Sequence, residues 1–355
     1  DDLNMGQPSW RSLCMGVLTL EEDLTLDKLE ALQAMLPTKE EMDTFGAVQK
    51  KDAPFLGMTE RFVYDVATVI PRFKRRVEAL TFLLQFSSQA QNVQKESRDV
   101  AIAAGQVMDS AGLALVLQQI LVVGNIMNEG TKKGRARGIT LESLLKLINT
   151  KGNDKRTTVL DYVVTLCTDK GMTEALEFPN ELSGMRTVAG LPSSDIENSY
   201  NDLKKRQKMV EEEIEMTRQD IMKSGGYLET NSPQGNTKRG AEPDLSPVLR
   251  AYVAKLEARV HEMCLKTEVL KSAVSVMHSS VLKLAEFFGE EHSECPSEKV
   301  FSVLTGFIEA FKASKEKVLR SRASRQGNEE EGGGGTGTTS RETSKSPRRD
   351  MSRSL

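Results

Sequence analysis

The sequence predicts an all-α protein: an elongated multi-helix domain with a long coiled-coil-like helix pair and a smaller helical subdomain. Three observations predict it. Apolar residues recur at helical spacing along almost the whole chain, with no run of strict alternation. Aromatic residues make up only 5% of the 355 positions and charged ones 28%, a mix that suits long amphipathic helices. Finally, Leu256, Val260, Met263, Thr267, Leu270, Val274, Met277, Val281 and Leu284 alternate steps of four and three, which is a coiled-coil seam.

Element by element, Thr25 stands as N-cap to a helix over Leu26–Leu36, which Pro37 stops. Thr38 and Glu41 make the S/T-x-x-E capping pattern of the next helix. Helical spacing continues from Thr59 to Phe86, with Pro71 as a start or kink. Ser97–Met127 reads as two helices broken near Asp109–Ser110. Glycines and basic residues make Gly130–Gly138 a loop. Helices over Leu141–Ile148 and about Lys155–Cys167 follow. Ser194 and Glu197 form a second capping pattern, ahead of Leu203, Val210, Ile214 and Ile221 at intervals of seven, four and seven. Residues 224–246 carry glycines and prolines and read as an insertion. Ser246-Pro247 starts the seam helix, and a last amphipathic helix runs from Ser297 to about Arg320. The domain boundaries are then 1–16 unassigned, 17–320 the helical domain, and 321–355 a disordered tail poor in apolar residues.

Composition excludes several function classes. Forty-eight basic against fifty-one acidic residues leave a net charge of −3, so dedicated nucleic-acid binding gets no support. Cys14, Cys167, Cys264 and Cys295 are too scattered for a disulfide framework, and point to a reducing compartment. The most apolar stretch, Ala111–Met127, holds Gln118 and Gln119 and falls short of the ~20 residues that span a bilayer, so no membrane is expected. The chain opens on Asp1-Asp2, as a piece of a longer polypeptide would.

Little in the sequence resembles an active site. No CxxC, HExxH or GxSxG occurs. His261 with Cys264 and His292 with Cys295 share a His-x-x-Cys spacing, but 27 residues part the two halves, and unliganded helix residues are the commoner reading. Gly130 to Gly134 lacks the Gly-Lys-Ser/Thr ending of a phosphate loop. The expectation is a non-enzyme with no cofactor and no metal. The basic cluster Lys132, Lys133, Arg135, Arg137, Lys146, Lys151, Lys155 and Arg156 says more. Only Glu129, Glu142 and Asp154 oppose it, and no aromatic residue lies within it to stack bases, so an acidic protein surface suits it better than nucleic acid.

One stretch carries a family resemblance. Gly124-Asn125-Ile126-Met127-Asn128-Glu129-Gly130, then Gly134-Arg135-Ala136-Arg137-Gly138, then Leu141-Glu142-Ser143-Leu144-Leu145-Lys146-Leu147, with Asn149-Thr150-Lys151 after it, resembles the signature of the formin homology-2 domain. Leu36-Pro37 through Glu40-Glu41, Pro71-Arg72 with Arg76, Phe178-Pro179-Asn180-Glu181-Leu182 and Phe288-Gly289-Glu290-Glu291 are similar to other family segments. Ile139 stands where the family has an aromatic residue, and Asn149 where it has aspartate. Glycines at 124 and 130 leave room for close approach, and Asn125 and Asn128, three apart, share a helix face on which amides can satisfy a docked backbone.

The resemblance implies an actin-binding module that nucleates filaments or follows their barbed ends, in the cytoplasm at the cytoskeleton. It implies that Gly124, Asn125, Asn128 and Gly130 belong to a post subdomain that receives the lasso of a partner subunit. Lys151 is implied to touch actin, with Lys146, Lys132, Lys133, Arg135 and Arg137 as further candidates. The family's lasso, linker and a knob isoleucine would fall at or before Asp1. A homodimer is therefore expected of the complete domain and a monomer of this chain. The alternative is a coiled-coil scaffold whose Leu256–Leu284 seam stays open for a helical partner.

Overall fold

A computed structural model describes residues 16–331 except 21–23, 50, 69–71, 133, 153, 226–245 and 291–295. After a helical turn over residues 16–19 come α1 (Leu26–Ala34), α2 (Lys39–Gly46), a short 3-10 helix (Ala53–Phe55), α3 (Met58–Thr68) and α4 (Phe73–Asp109). Then follow α5 (Ala111–Met127), α6 (Leu141–Asn149), α7 (Val159–Asp169), α8 (Thr173–Glu181) and α9 (Met185–Val188). The series ends with α10 (Ser193–Gly225), α11 (Ser246–Phe287) and α12 (Ser297–Glu331). Among the described residues the one extended pairing is an isolated bridge between Lys151 and Thr158, so the protein is all-α. The chain divides into two compact units, Asp1–Ser110 with Leu182–Thr305 and Ala111–Glu181 with Gly306–Leu355.

In the first unit α11 packs along α4 and α10. All nine seam positions from Leu256 to Leu284 are buried, Thr267 included, and so are Leu203, Val210 and Ile214 of α10. Each fully buried Leu, Val or Met contributes about 1.5–3 kcal/mol, so this face drives the packing. The seam is closed within the chain, which overturns the condition on which the coiled-coil scaffold rested. A second cluster joins Leu29 and Leu32 of α1 to Phe62, Val63 and Val66 of α3 and to Phe73, Val77 and Leu80 of α4.

The first turn of α4 carries a buried charge cluster. Glu213 is fully buried, and Arg72 approaches its carboxylate at 3.0 Å through Nε, Arg76 at 3.2 Å and Arg75 at 3.5 Å. Arg72 also reaches Asp220 at 2.6 Å, and Arg75 reaches Glu212 at 2.7 Å. Arg72 adopts a left-handed φ of 54°, a conformation L side chains rarely hold, and it does so as the N-cap of α4. Arg76 is wholly buried with its guanidinium 4.8 Å from the ring centroid of Tyr252. Burial depresses the pKa of Arg76. On Arg72 burial acts the same way, but hydrogen bonds to Glu213 and Asp220 outweigh it and raise the pKa.

Several local expectations hold and several shift. The capping box of α2 forms as its sequence predicts: the Thr38 amide donates to Glu41 Oε2 at 2.8 Å, and the Glu41 amide donates to Thr38 Oγ1 at 3.3 Å. Thr25 precedes α1 without a side-chain cap, and α1 stops at Ala34 instead of Leu36. The break at Ser110 is where the sequence puts it. Ser97, however, lies inside α4, its hydroxyl donating to Val93 O at 2.7 Å, so residues 73–109 make one helix. The Ser194–Glu197 capping box does not form. The helix already begins at Ser193, and Glu197 lies 2.6 Å from His278 Nδ1. Cys264 accepts a hydrogen bond from Gln207 at 3.1 Å, while His292 and Cys295 lie outside the described residues. Most of the 224–246 insertion lies outside them as well, as do Pro71 and residues 332–355; α12 runs on past Arg320 to Glu331.

The second unit is built on α5, which packs against α7 and α8. Phe178 of α8 stacks with Phe307 at 6.2 Å and meets Phe311 edge-on at 4.8 Å, both from α12. Gly112 permits the closest contact: a Cβ there would sit 2.4 Å from Glu174 O and 2.8 Å from Phe178 Cβ.

Candidate functional site

The surface that carries Gly124, Asn125, Asn128 and Gly130 starts where α5 ends. Asn128 donates its backbone N–H to Gly124 O at 3.0 Å and its side-chain Nδ2 to the same oxygen at 2.9 Å, so both lone pairs of that carbonyl are used at the end of the helix. Gly130 follows at φ +78°, the left-handed conformation that lets the chain turn out of the helix. The loop then folds back. Asn125 grips Ala136 twice, donating from Nδ2 to its carbonyl at 3.0 Å and accepting its amide through Oδ1 at 2.7 Å. Gly134 makes this return possible, since a Cβ there would lie 2.7 Å from Asn128 O.

The asparagine amides therefore do satisfy backbone groups, but those of their own chain. Both Asn125 and Asn128 shape the loop 130–138. Gly124 borders open space: nothing lies within 4 Å of where its Cβ would be. Sequence reasoning missed Gly134 and Ala136 as the other half of this lock, although both stand in the quoted motif.

Lys151 sits on a second, smaller device. Thr150 O accepts from the Val159 amide at 3.0 Å and Thr157 O from the Gly152 amide at 2.7 Å, which flank the Lys151–Thr158 bridge. Asp154 closes the turn, accepting from the amides of Arg156 and Thr157 at 3.0 Å each and from the Thr157 hydroxyl at 2.5 Å. Those three bonds hold its carboxyl down to about 2 although it is exposed. Behind the turn, Thr158 and Asp161 form a capping box at the start of α7, four residues later than the sequence places that helix. Burial opposes the charge on Asp161, but Lys317 and the Thr158 amide outweigh it and keep its pKa low.

Lys132, Arg135, Arg137, Lys151, Lys155 and Arg156 are all exposed, and none forms an ion pair among the described residues. Lys146 is different: it pairs with Glu142 at 2.5 Å. Lys133 lies outside the described residues. Arg135 holds φ +63° and Lys155 φ +55°, so two of the six cations sit at backbone positions where L residues are rare.

Beside these cations run two grooves. One, about 650 Å³, lies between α5 and α6 and is lined by Ile120, Gly124, Asn125, Ile139 and Leu147 among others. The other, about 710 Å³, lies between α5 and α7 and includes Val122, Ile126, Tyr162 and Leu166. Met127 lines both. Ile126 is 66% exposed, Met127 57% and Tyr162 55%, a cluster of large apolar side chains open to solvent, as a protein-docking surface has. The sequence signal for it was available in the spacing of Val122 and Ile126, one turn apart on α5.

Open apolar grooves between helices, with exposed cations on the turns 130–138 and 151–156, are the features of a protein-docking surface. Comparison with known sequences makes this specific: residues 3–312 match the Formin Homology 2 Domain, and the chain belongs to that family. It is 28% identical to Formin-like protein 14 of Arabidopsis thaliana over 295 residues, covering 83% of this chain and 22% of that protein. It is 29% identical to Formin-like protein 13 of Arabidopsis thaliana over 326 residues, covering 90% of this chain and 24% of the relative. Formin-like protein 6 of Oryza sativa subsp. japonica is 28% identical over 306 residues, 86% of this chain and 20% of its own length. The chain thus spans less than a quarter of the length of these relatives. No single helix among its described residues is long and apolar enough to cross a membrane.

Proposed function

We propose that this chain is a non-enzymatic actin-assembly module of the cytoskeleton, acting in the cytoplasm to nucleate filaments or to stay with their barbed ends. The observation that carries this reading is the presentation of Lys151: an exposed ammonium, unpaired among the described residues, on a turn fixed by the Asp154 hydrogen bonds. Actin's acidic surface supplies the complementary charge, and Lys132, Arg135 and Arg137 widen the patch. The grooves either side of α5 would receive the lasso of a partner subunit, the arrangement expected of the complete domain as a homodimer.

Assembly of pyrene-labelled actin and co-sedimentation with filaments test this with the chain and its Lys151→Asp variant. A like-charge contact costs several kcal/mol, so charge reversal weakens co-sedimentation at least about tenfold at unchanged helix content. Equal binding by both proteins removes Lys151 from the interface. Absence of binding by either removes the actin reading for this surface.

A further inference from the structure

The turn that carries Lys151 is held from behind by a residue outside the region that matches the family. The match ends at residue 312, whereas α12 continues to Glu331. On that continuation Lys317 Nζ lies 2.6 Å from Asp161 Oδ2 and donates to Arg156 O at 3.2 Å. Asp161 Oδ2 also accepts the Thr158 amide at 2.9 Å, so one oxygen joins Lys317 to the residue that pairs with Lys151. Arg156 in turn donates its amide to Asp154, whose other bonds close the turn. Ser314, one helical turn before Lys317, is buried and bonds the same Asp161 carboxylate. The chain of contacts therefore touches the turn at two places: the bridge residue Thr158 through Asp161, and the middle through the Arg156 carbonyl.

Lys315, two residues earlier, makes a useful contrast. It pairs with Glu177 at 2.8 Å and donates to Leu176 O at 2.9 Å, docking α12 onto α8 with no contact to the turn. Both lysines secure α12, and only one of them secures Lys151.

We propose that Lys317 is a positioning residue for the Lys151 contact, which makes α12 beyond residue 312 a working part of the actin-binding surface. The proposal rests on the actin reading above. An unheld turn would let Lys151 sample orientations that do not engage, at a cost in affinity but with no loss of charge from the surface.

Filament co-sedimentation of the full chain with Lys317→Met, Lys317→Arg, Lys315→Met, Lys151→Ala and the Lys317→Met/Lys151→Ala double variant tests it. Lys317→Met is expected to weaken binding about fivefold, Lys317→Arg to restore it, and Lys315→Met to leave it unchanged. The double variant binds no more weakly than Lys151→Ala alone, because the effect of Lys317 acts through Lys151. Additive losses, or an equal loss from Lys315→Met, show general destabilisation and overturn the proposal. Amide hydrogen exchange at Gly152 and Val159 is read in the same proteins without actin. Faster exchange there in Lys317→Met, with Val163 and Val164 unchanged, is expected; no change at Gly152 and Val159 overturns the positioning role on its own. If Lys151→Ala binds like the parent, the actin reading has failed, and the exchange result still decides whether Lys317 holds the turn.

Discussion

Each unit holds one group of neighbouring cations, and the two groups are placed in opposite ways. In the first, Arg72, Arg75 and Arg76 turn inward from the start of α4, and Glu213, Glu212 and Asp220 of α10 meet them. In the second, Lys132, Arg135, Arg137 and Lys151 stand on two turns that backbone hydrogen bonds fix, and no carboxylate among the described residues pairs with them. A buried guanidinium needs a partner, since desolvation costs more than an isolated charge recovers. An exposed one left without a partner retains its field for another molecule. Similar residue types thus serve cohesion at the start of α4 and stay open to solvent on these two turns of the second unit. What decides between them is whether a facing helix delivers a carboxylate.

The largest expected effect tests the inward half of this contrast. Glu213→Ala leaves Arg76 buried and three guanidinium groups facing one another, so the variant is expected to lose about 3–5 kcal/mol of unfolding free energy in urea. A loss below about 1 kcal/mol would mean that the arginines relax to solvent, and the contrast between the units would reduce to one of degree.

The second unit should be less sensitive to charge and more to fit. Gly112→Ala places a methyl group 2.4 Å from the Glu174 carbonyl, where backbone and not a pliable side chain must yield. Overpacking of this kind costs about 1–3 kcal/mol, so the midpoint of urea unfolding falls while Glu213→Ala remains the more severe change. A neutral result would mean that α5 and α8 slide apart easily, and that the Phe178–Phe307–Phe311 group alone holds them.

How much of this was legible in the sequence depended on the range of the interaction. The seam was legible because helical periodicity records which face is buried, and every one of its nine positions is. The Thr38–Glu41 box was legible because both partners lie within one turn. The same pattern failed at Ser194, where Glu197 found His278 on another helix and the cap lost its second half. Glu213 gave no local sign of its role: its partners lie 137–141 positions away in sequence, among many similar carboxylates on α10. The spacing of Asn125 and Asn128 suggests amides free for a docked backbone, whereas the backbone that Asn125 binds is that of Ala136, eleven residues on, and Asn128 binds Gly124. Composition placed Lys151 in a basic cluster, and only the family resemblance singled it out there; what holds it, from Asp154 to Lys317, came from the structure.

The smallest effect expected concerns acid, and it separates the Lys151 turn from both cores. Asp154 has its folded pKa depressed to about 2, whereas an unstructured aspartate titrates near about 3.9. A group with a depressed folded pKa stabilises the folded turn fully above the unfolded value and loses that contribution as pH falls through the folded one. Between about pH 4 and pH 2, then, the turn should weaken progressively, with Asp161 contributing in the same direction because its pKa is also lowered. The carboxyl carbon of Asp154, followed by NMR from pH 6 downward, should stay ionised at pH 3 while exposed carboxylates without such bonds protonate. Titration near 4 instead would show that the Thr157 and Arg156 bonds do not hold in solution. Lys151 would then ride on a loose loop, and the fixed presentation that distinguishes the outward cations of the second unit would be lost.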